Sequence, residues 1–289
     1  MAMTFDAALK ELVKQYPPDF LATFYPCPRE SISLLNVDLS TVTTSSDFVI
    51  GLGEPPEEIL HIEFQASASA DKHLDVFVYN ALLHREHGVP VHTIVILLRR
   101  QAGHSNLNGT VAYTSALADG SMNFRYEIVR LWERPAHEFL AGNLGMTPLA
   151  VLGHLPPELP IHEALESIIQ QMADRVMNEA TPDKAEKLLV SAFLLSGLRV
   201  DRTLVRELFE GVQAVKESET YLMILDEGKD IGRVEEARET VLRLGSKRFG
   251  EPTLQTQTAI KNIEQTERLH QLQEKIFDVQ TWDELLAGN

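Results

Sequence analysis

The sequence has few of the residues that mark secreted, cysteine-rich or membrane proteins. Its single cysteine, Cys27, cannot form an internal disulfide and cannot by itself build a cysteine-rich zinc site. The longest strongly apolar run, residues 93–98, has the length of a strand and falls far short of the roughly 20 residues that a membrane-spanning helix needs. The first fourteen residues lack the basic-then-apolar order of a signal peptide. We therefore expect a cytoplasmic protein that does not bind membranes.

Basic residues are also scarce, and this limits the partners of the protein. The 289 residues include 26 Lys and Arg against 42 Asp and Glu, which gives a formal net charge of −16. Such a charge repels polyanions and argues against a broad surface that coats nucleic acid. A local nucleic-acid site remains compatible with this net charge. Carboxylates that bind Mg²⁺ add to the number of acidic residues, yet the Mg²⁺ that they hold attracts phosphate.

The hydrophobic pattern changes along the chain and predicts an α/β core followed by an all-helical region. A helix is expected from Thr4 to Tyr25 with a break at Pro17, and a second from Lys72 to Glu86 with Leu74, Val78, Ala81 and Leu82 on its apolar side. Strands are expected at residues 32–37, 47–52, 59–65, 91–98, 110–114 and 124–128. We expect the α/β core at 1–135, a helical region at 136–250 and a small helical segment at 251–289.

The third of these strands carries the residues that point to chemistry. Its period of two places His61, Glu63 and Gln65 on one face, opposite an apolar face. In the preceding strand, the same rule leaves Asp47 on the side away from the apolar residues. If the two strands pair through the short Gly/Pro turn between them, Asp47 and Glu63 lie on one face of neighbouring strands.

Two carboxylates held close together raise each other's pKa unless a cation lies between them. Mg²⁺ bound by one or two carboxylates keeps positions open for a water and a phosphate oxygen, which is the arrangement of metal-assisted phosphodiester hydrolysis. The pattern therefore predicts a metal site made by Asp47 and Glu63. The alternative is that the two acids are an exposed pair at the strand ends and bind no metal.

The order of helix, three strands, helix and strand, with Asp47 sixteen residues before Glu63-Phe64-Gln65, resembles the PD-(D/E)XK nuclease superfamily. More specifically, the chain is similar to the recombination-promoting nuclease/putative transposase (Rpn) family and its bacterial relatives. Other stretches carry the resemblance over nearly the whole chain. They are residues 5–12, 78–80, 90–99, 217–221, 248–252 and 281–286.

The resemblance implies a restriction-endonuclease-like fold with a mixed sheet, and a Mg²⁺-dependent or Mn²⁺-dependent DNA endonuclease linked to recombination or mobile elements. It implies Asp47 and Glu63 as metal ligands and Gln65 in the place of the lysine that orients the attacking water. Glu11 or Asp6 of the first helix would supply a further acidic group. Many relatives carry an arginine where this chain has Asp75. The positive charge that would contact phosphate is therefore missing at this position.

The sequence leaves a second class of function open. The net charge, Gln65 and Asp75 favour a catalytically silent nuclease fold whose helical region binds a protein partner or forms a homo-oligomer. The apolar residues Val234, Ala237, Val241 and Leu244 predict a short stripe on a helix of that region, which suits packing within the chain or against a second copy. The carboxylate pair favours the enzyme, with DNA bound through a local site.

Overall fold

The computed structural model describes residues 4–25, 31–35, 48–114, 121–212, 215 and 218–287. Cys27 and Asp47 lie outside these residues, so the predicted ligand Asp47 stays a sequence-based prediction. Contacts between Cα atoms divide the chain into a first unit that ends at Ser218 and a second unit, Glu219–Asn289. None of the helices in the described part of the chain combines the length and apolar character needed to cross a lipid bilayer.

The first unit opens with helices and then alternates strands with a single long helix. The strands are β1 (Ile32–Leu34), β2 (Phe48–Leu52), β3 (Glu58–Gln65), β4 (Val91–Leu97), β5 (Thr110–Thr114), β6 (Ser121–Arg125) and β7 (Glu127–Arg130). The helices before residue 100 are α1 (Phe5–Gln15), α2 (Pro17–Phe24) and α3 (Lys72–His87). The predicted break of the first helix is confirmed, because Pro17 occupies the first turn of α2, where its missing N–H has no helical partner to lose.

A mixed five-stranded sheet with the order β1-β2-β3-β4-β7 forms the centre of this unit. β1, β2 and β3 are antiparallel, and β3, β4 and β7 are parallel. The parallel pairing of β3 with β4 requires a crossover, which α3 supplies. The run that we expected as one strand at 124–128 is divided, because β6 pairs with β5 in a separate hairpin while β7 forms the edge of the main sheet.

The apolar face of this sheet is packed by aromatic and aliphatic side chains. Phe64 lies in edge-to-face contact with Phe48 of β2 at 6.0 Å and with Phe20 of α2 at 6.2 Å between ring centroids. Ile62 pairs with Ile94 of β4, and both are fully buried. The predicted apolar sides of the second and third strands are therefore confirmed.

The helix α3 covers the other face of the sheet, with a different side inward from the one we expected. Its buried residues are Lys72, Val76, Tyr79 and Leu83. Leu74 and Val78 of the predicted apolar side are 45% and 42% exposed. The prediction followed aliphatic residues alone, whereas a tyrosine and a lysine take part in the buried side. Gly88 ends the helix in the left-handed conformation, with φ 70°, which glycine adopts without strain.

Helices continue from residue 136 to the end of the unit. They are α4 (Ala136–Ala141), α5 (Ile161–Glu179), α6 (Pro182–Ser196) and α7 (Arg202–Phe209), with a 3-10 segment at Leu144–Leu152. α6 packs on α1 and on the 3-10 segment. Asp19 of α2 accepts a hydrogen bond of 2.8 Å from the Gly145 amide. These contacts join the first helices to residues beyond 135, and the expected boundaries near 135 and 250 stay predictions.

The second unit is helical and has a core of its own. It contains α8 (Glu219–Phe249), α9 (Leu254–Lys261), α10 (Thr266–Lys275) and α11 (Trp282–Leu286). Ala237 and Val241 of the predicted stripe are buried in this core, together with Leu269, Leu272 and Trp282. Packing within the chain thus accounts for the centre of the stripe, and a role in forming oligomers stays a prediction.

Candidate functional site

Among the predicted site residues in the described part of the chain, Glu63 is the most deeply buried. It lies near the carboxyl end of β3, and only 1% of its side chain is exposed. Its Oε2 atom is 2.6 Å from the Nζ atom of Lys72. A carboxylate removed from water to this extent requires a compensating charge, and the lysine provides one.

Lys72 is a site residue that the sequence did not single out for this role. Its side chain is 8% exposed and points to Glu63. It occupies the first residue of α3, where the partial positive charge of a helix N-terminus disfavours a cation. A lysine in that position, nine residues after an acidic strand residue, is the one sequence signal that suggests a nearby carboxylate.

His61 lies beside Glu63 and is completely buried. Its Nε2 atom is 3.8 Å from Oε1 of Glu63, and its Nδ1 atom is 3.3 Å from the hydroxyl of Thr93 on β4. The imidazole also stacks on the Tyr79 ring of α3, with 5.7 Å between centroids and 14° between planes. These contacts surround the imidazole on several sides and keep it away from solvent.

Asn80 of α3 completes this arrangement. Its side-chain amide donates hydrogen bonds of 2.9 Å to the Thr93 hydroxyl and to the Val91 carbonyl. We use the name polar layer for the set of side chains that link α3 to β3 and β4. The polar layer consists of His61, Glu63, Lys72, Asn80 and Thr93. It holds the Glu63 carboxylate in a fixed position between a helix and a sheet.

Gln65 marks the solvent side of this arrangement. It is the last residue of β3, is partly exposed and pairs with Leu97 of β4. Its amide Nε2 donates to the carbonyl of Ser67. Gln65 shares the strand face of Glu63, as predicted, and its side chain lies where the parallel strands end.

The other predicted acids differ in what the structure shows of them. Glu11 accepts a hydrogen bond of 2.5 Å from Gln15 one turn later in α1, and Asp6 forms an ion pair with Lys10 at 2.9 Å. Both contacts are local pairs along the helix, and none of them reaches the polar layer. For Asp47, the described neighbour is Phe48, which pairs with Ile62 immediately before Glu63.

A divalent cation fits this site only in part. Within the described residues, no group of three or more histidine, cysteine, aspartate or glutamate side chains could hold a metal ion. Mg²⁺ commonly uses one or two carboxylates and takes its remaining ligands from water and phosphate. Glu63 can supply one such ligand, although Lys72 already binds its Oε2 atom. The sequence-based prediction assigns the second carboxylate to Asp47, which lies outside the described residues.

Comparisons with protein-family models, with curated proteins and with solved structures find no match for this chain.

Proposed function

We propose that the protein is a metal-dependent nuclease that hydrolyses phosphodiester bonds of DNA. The observation that carries the proposal is the buried Glu63 carboxylate, held by Lys72 at 2.6 Å near the carboxyl end of a central strand. Burying an ion pair is costly and contributes little to stability, so a charged pair kept in this position suits a functional role.

In this proposal Glu63 and Asp47 hold Mg²⁺ or Mn²⁺, which would polarise a phosphate oxygen and lower the pKa of a bound water. Lys72 compensates the charge of Glu63 and fixes its orientation, while His61 and Tyr79 exclude water from behind it. Gln65 carries no charge, but its amide can hydrogen-bond a water or a phosphate oxygen. Its position at the strand end, next to solvent, suits that role.

The proposal extends to the family. The mixed sheet and its helical crossover agree with a restriction-endonuclease-like core, and the spacing from Asp47 to Glu63 and Gln65 agrees with the Rpn family. The proposal includes a role for this activity in recombination or in the movement of genetic elements. Glu11 remains a candidate for an additional acidic group, although its described partner is Gln15.

Cleavage of supercoiled plasmid DNA tests the proposal. The wild type, Asp47→Asn, Glu63→Gln and the control Glu86→Gln are compared with Mg²⁺, with Mn²⁺ and with a chelator. Glu86 is an exposed carboxylate of α3, so its substitution changes the net charge without touching the polar layer. We expect the wild type and the control to nick DNA only with metal, and both site variants to lose at least about 100-fold in rate.

Equal cleavage by all four proteins would assign the activity to a contaminant and would contradict the proposal. The same conclusion would follow if folded wild type neither cleaved DNA nor bound Mn²⁺ in a calorimetric titration. Circular dichroism of each variant separates loss of chemistry from loss of fold.

A second candidate is a catalytically silent fold that binds a protein partner, and one observation favours it. Leu74 and Val78, one turn apart on α3, are both large apolar residues with more than two fifths of their surface exposed. Contiguous exposed apolar residues are typical of surfaces that bind other proteins. If metal binding is absent, Leu74→Lys should prevent association of the protein with itself or with a partner, as measured by light scattering.

A further inference from the structure

Three arginines line one small pocket in the first unit. The pocket has a volume of about 180 Å³ and is lined by Arg99 and Arg100, which follow β4, and by Arg199, which follows α6. Trp132 and Leu152 form part of its apolar wall. Three arginines from distant parts of the sequence thus line the same pocket.

Each of the three arginines is held in place by a specific contact. Arg199 donates from Nη1 to the carbonyls of Val151 at 3.0 Å and Gly153 at 2.6 Å. The guanidinium of Arg100 lies 5.8 Å from the centre of the Trp132 ring. Arg99 donates from Nε to a main-chain carbonyl, that of Ala66, at 2.6 Å. Because a guanidinium has five N–H donors, these bonds leave donors available on every one.

No carboxylate compensates these charges within the described residues. The ion pairs found there do not include any of the three arginines, although the protein as a whole has 16 more acidic than basic residues. Burial lowers the pKa of Arg199 from its ordinary value, and repulsion by Arg100 lowers it further. A bound anion would remove this uncompensated repulsion.

The pocket adjoins the end of the sheet at which Gln65 lies. The amide of Leu98 donates to the Gln65 carbonyl at 3.0 Å, and Arg99 binds the next carbonyl along the chain. In open α/β sheets, ligands bind outside the carboxyl ends of the parallel strands. The basic pocket and the candidate catalytic strand thus meet at the same edge.

We propose that Arg99, Arg100 and Arg199 form a binding site for a phosphate group. Arginine suits this ligand, because its planar fork donates two parallel hydrogen bonds to phosphate oxygens. The phosphate belongs either to a nucleic-acid backbone or to a small phosphate compound. Its assignment to a DNA substrate rests on the proposed function, while the binding of phosphate itself does not.

Calorimetric titrations of the full chain in the presence of EDTA test the site without catalysis. The ligands are inorganic phosphate, a nucleoside monophosphate and a short single-stranded DNA oligonucleotide. The proteins are the wild type, Arg100→Gln, Arg199→Gln and the control Arg85→Gln. Arg85 is exposed on α3 and does not line the pocket, so its substitution removes one positive charge elsewhere.

We expect wild type and Arg85→Gln to bind with equal affinity, and Arg100→Gln and Arg199→Gln to bind roughly tenfold more weakly or worse. Arg199→Gln removes bonds to two carbonyls and could unfold the unit. Arg100→Gln removes only the contact with Trp132 and keeps the test decisive. Tighter binding of the oligonucleotide than of the small compounds would identify nucleic acid as the source of the phosphate, and the reverse order would identify a small compound.

The proposal is overturned if the wild type binds none of the three ligands, or if Arg85→Gln weakens binding as much as Arg100→Gln does. The second result would indicate a diffuse effect of charge. Failure of the nuclease proposal looks different, because Glu63→Gln would then leave plasmid cleavage unchanged while phosphate binding in EDTA remained sensitive to Arg100.

Discussion

The two faces of the central sheet bury side chains of opposite character. On one face, Phe64 contacts Phe48 of β2 and Phe20 of α2 through their rings, and the neighbouring Ile62 is fully buried. On the other face, α3 covers the polar layer, which includes a buried carboxylate, a buried ammonium group and a buried imidazole. Neighbouring residues of one strand, Ile62 and Glu63, therefore lie in environments of opposite chemistry.

This difference separates the residues that stabilise the fold from those that we propose to serve function. The apolar face gains stability from the removal of surface from water, and any well-shaped aliphatic set would serve. The polar face gains little from its ion pair, because desolvation offsets most of the attraction between the charges. A buried pair of that kind, close to the carboxyl ends of parallel strands, is better explained by the function we propose than by stability.

The largest expected effect follows from breaking the buried pair. Glu63→Gln leaves the Lys72 ammonium without its anionic partner, and we expect it to lower the free energy of unfolding by about 3–5 kcal/mol. Adding Lys72→Met to this variant should recover much of the loss, because no uncompensated charge then remains. Urea unfolding of the two single variants and the double variant measures the coupling. Additive losses would show that the two side chains do not interact.

A smaller effect is expected within the same face from Asn80→Ala. This change removes two hydrogen bonds of 2.9 Å, to the Thr93 hydroxyl and the Val91 carbonyl. Loss of these hydrogen bonds should lower the free energy of unfolding, measured with urea, by about 1–3 kcal/mol. Asn178→Ala, on an exposed part of α5, is the matched control and should be nearly neutral. A loss no greater than that of the control would refute a linking role for Asn80.

The apolar face should respond more weakly to a conservative change. Ile62→Val removes one buried methylene group next to Glu63, and we expect a loss of about 0.5–1.5 kcal/mol in the free energy of unfolding. Plasmid cleavage should keep its wild-type rate, because the side chain points away from the polar layer. A loss of cleavage without unfolding would show that the two faces are coupled.

The smallest effect is confined to alkaline pH and concerns Tyr126, which is packed with Val76 and Val95 on the α3 side of the sheet. Burial raises the pKa of Tyr126 above its ordinary value of 10.0. The unfolded chain therefore loses this proton first, so stability should fall as the pH rises above that value. Tyr126→Phe should flatten this fall, as measured by urea midpoints at about pH 8 and about pH 10.5. An unchanged slope would contradict the assignment.

The alternation of side chains along β3 and the helical crossover to β4 could be predicted from the sequence, because both depend on local periodicity. The burial of the polar face could not be predicted in this way. It depends on which side of α3 turns inward, and the aliphatic residues Leu74 and Val78 indicated the wrong side. The pairing of Lys72 with Glu63 joins two elements, and no local pattern records it beyond a lysine at a helix start.

The pocket of three arginines was even harder to predict from the sequence. Arg99 and Arg100 follow a strand and could be suspected of binding phosphate. Arg199 follows a helix one hundred residues later, and only the packing of α6 on the 3-10 segment Leu144–Leu152 brings it near them. Contacts of such sequence separation depend on the tertiary fold rather than on composition or spacing.

The ion pair of Lys72 and Glu63 also bears on how the chain selects one arrangement of its strands. A slip of β3 by a single residue against its neighbours would exchange the two sides of the strand. The carboxylate would then enter the aromatic cluster of Phe20 and Phe48, where no ammonium group could follow it. An ion pair that adds little stability to the native fold can in this way exclude a misfolded one. Only the shifted pairing would bury the carboxylate without its ammonium partner.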